Sequence, residues 1–238
     1  MRVDFVANAS HELRTPLATL LGFLEMLQDR DAAADEKTRT RFIRIMFEEA
    51  RRIQQLVEDL MSLSRIEAER FSLPRESIEV PPLIEEVVRN CRHLAAEEQN
   101  EIVIENRAQY PVVHGDRSQL QQLFLNLVVN AIKYGRAGEQ VTVRIEEAGS
   151  EMLQFSVIDR GEGIPAEHIP RLTERFYRVD PGRSRSMGGT GLGLAIAKHI
   201  VVRHRGRLEI RSKLGEGTHV AVLLPRSNSE QQASAIPA

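Results

Sequence analysis

Seven consecutive residues, Ser10-His11-Glu12-Leu13-Arg14-Thr15-Pro16, set an imidazole directly beside a carboxylate. A carboxylate in that place can orient the ring or take its proton, which raises the nucleophilicity of the other ring nitrogen. Zinc-protease chemistry is excluded, because that pattern needs a second histidine four residues after the first and Thr15 stands there. Further along, Asn126 and Asn130 are four residues apart, and Lys133 and Tyr134 continue the same helix face by a turn. Two glycine-bearing boxes follow, Asp159-Arg160-Gly161-Glu162-Gly163 and Gly188-Gly189-Thr190-Gly191-Leu192-Gly193. The second leads into a helix, whose N-terminal amides can cradle phosphate. It is not a Walker loop, which ends in Gly-Lys-Ser/Thr, and its G-x-G-x-G spacing departs from the dinucleotide G-x-G-x-x-G.

The elements that must position these groups are legible in the periodicity. Leu13, Leu17, Leu20, Leu24 and Leu27 recur at steps of four, three, four and three, the a/d seam of paired helices. With Leu13 at d, His11 falls at b, off the seam and open to solvent. A first helix over about 3–28 is expected, bent near Pro16, then a polar turn over 29–35. A second helix over about 36–69 carries Phe42, Met46, Ile53, Leu56, Leu60 and Leu63 on one face and a Glu48–Arg52 pair on another. Two such helices cannot bury both stripes alone, so pairing with a second copy into a four-helix bundle is expected.

Beyond a linker at 71–77, marked by Pro74, the pattern turns to mixed α/β. Helices are expected from Pro81-Pro82 to about 98, over 116–134 with Asp116 or Ser118 as cap, and over about 191–204. Strands are expected at 101–105, 112–113, 141–145, 153–159, 207–212 and 219–224, with a frayed tail after Pro225. The domain division is therefore a hairpin at 1–70, the linker, an α/β domain at 78–225 and a tail at 226–238.

Composition narrows the class. With 42% hydrophobic and 28% charged residues, the 238-residue chain can bury proper cores. A formal net charge of −2 gives no overall case for nucleic acid. The one cysteine, Cys91, excludes a disulfide framework and fits a reducing compartment. No apolar run approaches the ~20 residues of a membrane span, and no signal peptide precedes the first helix. Residues 171–211 hold ten Lys/Arg against three Asp/Glu, which suits either a solvated basic face or attraction for an anion.

The stretch FVANASHELRTPLATLLGFLEML resembles the phospho-acceptor box of bacterial sensor histidine kinases, and the later boxes resemble the ATP-binding fold shared by gyrase, MutL and those kinases. The five motifs stand in the expected order over residues 3–225, and TERFYRVD with GGTGLGLAIAKHIVVRHRG is most similar to sensors of the phosphate-regulon type. The resemblance implies a dimeric helical hairpin joined to an α/β-sandwich ATP-binding domain, an α+β two-domain fold. It implies His11 as phospho-acceptor, Glu12 as its general base and Thr15 as a residue placing water in the reverse, phosphatase reaction. Asn130, assisted by Asn126, would hold Mg²⁺ bridging the ATP phosphates, Lys133 would reach a phosphate oxygen and Tyr134 would pack near the nucleoside. Asp159 would accept from the adenine amino group, with Gly161 and Gly163 permitting close approach to the base. Phe176 would dock a mobile lid, Arg178 would contact the γ-phosphate, and Gly189, Thr190, Gly191, Leu192 and Gly193 would cradle phosphates.

The implied partners are a response-regulator receiver domain and a second copy, with no direct nucleic acid. Met1 falls almost on the acceptor box, so a core cut from a longer, inner-membrane-anchored protein is expected, itself the cytoplasmic portion and meeting the membrane only through segments outside this chain. Two other readings stand beside the kinase. An inactive signalling scaffold should have lost Asn130, Asp159 or the glycines, and all remain; an ATPase of the gyrase or MutL kind needs a carboxylate where Asn126 stands. The remaining histidines (His93, His114, His168, His199, His204 and His219) match no motif and read as surface or packing residues.

Overall fold

The computed structural model describes residues 2–28, 35–69 and 72–227. The expected turn at 29–35, apart from Asp35, and the tail from 228 onward lie outside the described residues. Helix α1 spans Arg2–Gln28, running through Pro16, and α2 spans Glu36–Ala68. Asp35 caps α2 by accepting from the Thr38 amide at 3.1 Å. Within the hairpin, the Phe23 and Phe42 rings meet at 4.9 Å. Much of its apolar stripe stays uncovered: Leu17 is 51% exposed, Leu24 48%, Phe47 59% and Met61 64%.

The linker ends in an unforeseen strand, β1 (Glu76–Glu79), which pairs antiparallel with β3 (Val112–Gly115). The four residues Glu76-Ser77-Ile78-Glu79 carry one buried side chain, Ile78, too little for period-two reading. Helix α3 (Val80–Glu97) starts on the proline pair, whose missing amides belong to the first turn. Strand β2 (Glu101–Asn106) runs parallel to β4 (Gln140–Ala148), which pairs antiparallel with β5 (Met152–Asp159). Strands β6 (Arg207–Lys213) and β7 (Gly217–Pro225) complete a five-stranded sheet of order β2-β4-β5-β7-β6. Helices α4 (Arg117–Tyr134) and α6 (Gly193–Arg203) pack with α3 as the second layer. The rings of Phe124 of α4 and Phe155 of β5 meet at 5.3 Å, inclined at 60°, in its centre. A short helix α5 (Pro181–Ser186) lies in the expected lid segment.

The second half of α2 belongs to this core. Leu56, Leu63 and Ile66 are buried in the same apolar cluster as α3, α4 and α6, so the hairpin and the α/β domain are docked. No described helix is long and apolar enough to cross a membrane.

Candidate active site

His11 sits exposed on α1, as the heptad position requires. Thr15, one turn on, is also exposed and donates to the His11 carbonyl at 3.4 Å. Glu12 is not free beside them. Arg178 forks onto it at 3.3 and 2.9 Å, and Arg52 of α2 reaches it at 3.5 Å. Arg178, expected at a γ-phosphate, is buried against the acceptor helix in this arrangement. Arg52, read as a partner for Glu48, is 8% exposed and lies within 4.0 Å of Glu49 as well as near Glu12.

The other boxes converge on α4. Asp116 caps this helix, accepting from the Gln119 amide at 3.1 Å, and Ser118 only donates to the cap at 2.7 Å. Leu120, Leu123, Leu127 and Ala131 are buried, which turns Asn126, Asn130 and Lys133 toward the opposite, partly open face. Asn126 donates to the Gly193 carbonyl at 3.2 Å, tying the amide pair to the first turn of α6. Lys133 donates to the Met187 carbonyl at 2.6 Å, and Tyr134 donates to Ser184 at 3.2 Å, so both reach the lid segment. Phe176 closes the other end of that segment. Its amide donates to the Gly191 carbonyl at 2.8 Å, its φ is +63°, and its ring lies 6.0 Å from Phe5 of α1.

Asp159 ends β5 with one oxygen, Oδ1, accepting from the Gly161 and Thr218 amides at 2.8 and 3.2 Å. Burial raises its carboxyl above the ordinary value, the two amides working against that. Oδ2 has no hydrogen bond among the described residues, which leaves an acceptor for a ligand's amino group. The glycines after it have a different immediate reason from the one expected. A Cβ at Gly161 would stand 2.1 Å from the Tyr134 carbonyl and one at Gly163, whose φ is +73°, 2.0 Å from the Lys213 carbonyl. The close approach is to the protein's own backbone, which fastens the Asp159 loop to α4 and to the β6–β7 turn.

Do these residues suit ATP and Mg²⁺? Lys133 is largely buried, burial lowers its pKa, and its hydrogen-bond partner is a neutral carbonyl, so a cation is held ready for an anion. Among the described residues no group of three or more His, Cys, Asp or Glu could hold a metal. A hard cation here must therefore draw most of its oxygens from phosphate and water, with an amide such as Asn130 completing the set, as suits Mg²⁺. The residues fit both groups.

Sequence reading missed the docking contacts. Thr190, in the glycine box, donates to Asp59 of α2 at 2.6 Å, and Gln55 donates to the same carboxylate at 2.9 Å. Ser62 donates to Gln122 at 2.6 Å, and Arg175 pairs with Glu67. A signal was present: Arg52, Leu56, Asp59, Leu63 and Ile66 recur at steps of four, three, four and three, with two charged members on a buried stripe. His204 is a packing residue, but a polar one. It accepts from the Asp116 amide at 3.1 Å and its other nitrogen donates to the Ile200 carbonyl at 2.8 Å.

Residues 1–69 match the family model of the His Kinase A (phospho-acceptor) domain, and residues 115–228 match that of the histidine kinase-, DNA gyrase B- and HSP90-like ATPase. The phosphate regulon sensor protein PhoR of Pseudomonas aeruginosa is 40% identical over 220 residues, 92% of this chain and 48% of that protein. The sensor protein kinase WalK of Staphylococcus epidermidis is 37% identical over 225 residues, 94% of this chain and 36% of that protein. The chain thus spans half or less of the length of these relatives. Among solved structures, the Acinetobacter baumannii histidine kinase AdeS superposes with a TM-score of 0.72 at 25% identity, covering 92% of this chain and 98% of that one.

Proposed function

The chain belongs to the sensor histidine kinases, and we propose that residues 1–238 carry their catalytic core, an ATP-dependent protein-histidine kinase with His11 as acceptor. The observation that carries this reading is a solvent-facing imidazole on a paired-helix stalk, linked to a domain whose Asn126, Asn130, Lys133, Asp159 and glycine boxes gather around one helix. Residues 1–70 then form the phosphotransfer hairpin, 71–77 the linker and 78–225 the nucleotide domain.

In this reading the adenine amino group meets Asp159 Oδ2, and Lys133 with the Gly189–Gly193 amides meets the phosphates. Asn130, with Asn126 assisting, would hold Mg²⁺, which would supply neutralisation of phosphate charge. The neutral ring nitrogen of His11 attacks the γ-phosphorus in line, the bond to the bridging oxygen breaks, and ADP leaves. Glu12 takes the proton from the other ring nitrogen. In the docked arrangement Arg178 forks onto both oxygens of Glu12, so we read the docked arrangement as distinct from the transfer arrangement. Undocking frees the base and, in the same motion, frees Arg178 for the γ-phosphate. An exposed phosphohistidine can afterwards meet a receiver-domain aspartate, with Thr15 placing water for the reverse reaction. A second copy of the hairpin covers the bare Leu17–Leu24 seam, giving a homodimer. Membrane attachment is the task of segments outside this chain.

The test is incubation with [γ-³²P]ATP and Mg²⁺. The expected label is acid-labile, base-stable and absent from His11→Gln; label that survives that substitution overturns the assignment.

A further inference from the structure

Beside the His11 ring lies a cavity of about 360 Å³ whose far wall is the 171–177 segment of the α/β domain. Resting on the kinase reading above, we propose that this cavity is a binding site for the phosphoryl group once it is on His11, with Arg175 and Arg171 as its ligands. No bond forms or breaks in it; the site holds the product of transfer.

Four observations support this. The lining joins His11 to Arg171 and Arg175 and includes none of Asn126, Asn130, Lys133 or Asp159. A phosphoryl group meeting these arginines is therefore one that has left the nucleotide pocket. Both guanidinium groups are set against aromatic rings, Arg175 at 4.8 Å from the Phe5 centroid and Arg171 at 4.2 Å from that of Tyr177. Such cation–π contacts restrain the two guanidinium groups beside the cavity, where their N–H groups can meet phosphate oxygens.

Their present carboxylate partners are replaceable. Arg171 pairs with Glu174 at 3.3 Å, both more than half exposed, and Arg175 pairs with the partly exposed Glu67. The exposed Arg171–Glu174 pair holds weakly, and at Arg175 a phosphoryl group bearing nearly two negative charges competes with the single charge of Glu67. Finally, the carboxylate nearest the ring, Glu12, is already met by Arg178 and Arg52, so its repulsion of a neighbouring phosphoryl group is offset. The docked arrangement, in which Glu12 is engaged and His11 faces two cations, is the arrangement a freshly phosphorylated chain would favour.

The experiment uses the full chain at fixed ATP:ADP ratios and measures the equilibrium fraction of His11 carrying ³²P. Product-state ligands raise that fraction, so Arg171→Gln/Arg175→Gln should lower the phospho:dephospho ratio about tenfold, the scale of lost charge-assisted bonds, with ATP affinity unchanged. Glu67→Gln separates this from loss of docking: it removes the same ion pair but leaves Arg175 free, and should not lower the ratio. The ³¹P resonance of the phosphohistidine should titrate at lower pH in the wild type than in the double variant, because adjacent cations favour the more charged form. An unchanged ratio together with an unchanged ³¹P titration overturns the site while leaving the kinase reading intact. A fall in the ratio with Glu67→Gln equal to that with the double variant also overturns it. Absence of label from the wild-type chain overturns the kinase reading and this site with it.

Discussion

The hairpin and the α/β domain solve the problem of burial in opposite ways. The α/β domain supplies the bulk of its core from its own elements, α2 covering one edge: Phe124, Leu127, Ile145, Phe155 and Ile196 are all but fully buried. The hairpin buries Leu56, Leu63 and Ile66 only where the other domain lies on it, and leaves Leu17, Leu21, Leu24, Phe47 and Met61 in solvent. A body with a complete core can hold a ligand pocket in place by itself. A body with an uncovered stripe gets its structure from whatever lies against it, and its reactive group therefore answers to more than one partner. In the proposed function that group is His11, and the docked domain already reaches its neighbour Glu12 through Arg178.

The largest effects test the self-sufficient half. Phe124→Ala removes a ring packed on Phe155 at 5.3 Å and should cost ~3–5 kcal/mol in urea unfolding of the intact chain. The same truncation at Phe47, which is 59% exposed and lies 5.0 Å from the Arg51 guanidinium, should cost less than a third of that in a single chain. Equal costs would erase the distinction between the two regions. Next in size, Leu17→Glu with Leu24→Glu puts charge on the seam and should weaken self-association at least about a hundredfold by sedimentation equilibrium, as burial of an unpaired charge dictates. ATP binding should survive, since neither residue touches the α/β domain's pocket. Unchanged association would mean that some other face pairs the chains.

The legibility of the sequence divides along the same line. In the α/β domain, Asp116 at the head of α4, the alternation of β4 and β5 and the paired prolines of α3 are local signals, and each marks an element at its place. Strand β1 escaped because its pairing with β3 is non-local and only Ile78 faces inward. The polar face of α4 was legible because Asn126 and Asn130, four residues apart, stand opposite the buried Leu120, Leu123 and Leu127 and need a polar task. The docking contacts of Arg178 and Asp59 were not, because their partners, Glu12 and Thr190, lie 166 and 131 residues away in the chain. Periodicity reports which side of a helix is buried; it does not report against what. Gly161 and Gly163 make a related point, since their type was legible and the backbone that demands it was not.

At the nucleotide pocket, Asp159→Asn keeps the shape and one acceptor but removes the charge on a carboxylate fixed by two amides. ATP affinity measured by calorimetry should fall about tenfold, in keeping with a hydrogen bond to a charged group. Stability should hold or rise slightly, because burial opposes the charged form of Asp159. A variant that binds ATP as tightly as the wild type would remove Asp159 from the base-reading role.

The smallest effect concerns the joint between the two regions. Asp59 is 4% exposed and accepts from Thr190 and Gln55, yet burial raises its pKa above the ordinary 3.8, with neighbouring Glu58 adding to the rise. A carboxyl whose pKa is higher docked than undocked favours docking fully below the ordinary value and loses that contribution as pH rises through the docked value. Docking should therefore loosen from pH 4 toward neutrality, read as a falling energy-transfer efficiency between a dye on exposed Met61→Cys and one on exposed Leu214→Cys, with Cys91 replaced by Ala. Asp59→Asn keeps an acceptor for the Gln55 amide and turns its NH2 to donate to the Thr190 hydroxyl, without the charge, and should flatten this dependence while leaving the chain docked at neutral pH. A slope that persists in Asp59→Asn would assign the pH response to other groups at the joint, with the His199–Glu67 pair at 3.6 Å the next to test. Because Thr190 belongs to both the Asp59 contact and the glycine box, the polyphosphate of ATP placed at that box sets like charge beside a buried carboxylate. ATP should then loosen the joint in the wild type more than in Asp59→Asn, which makes this carboxyl a link between filling the self-sufficient domain and releasing the dependent one.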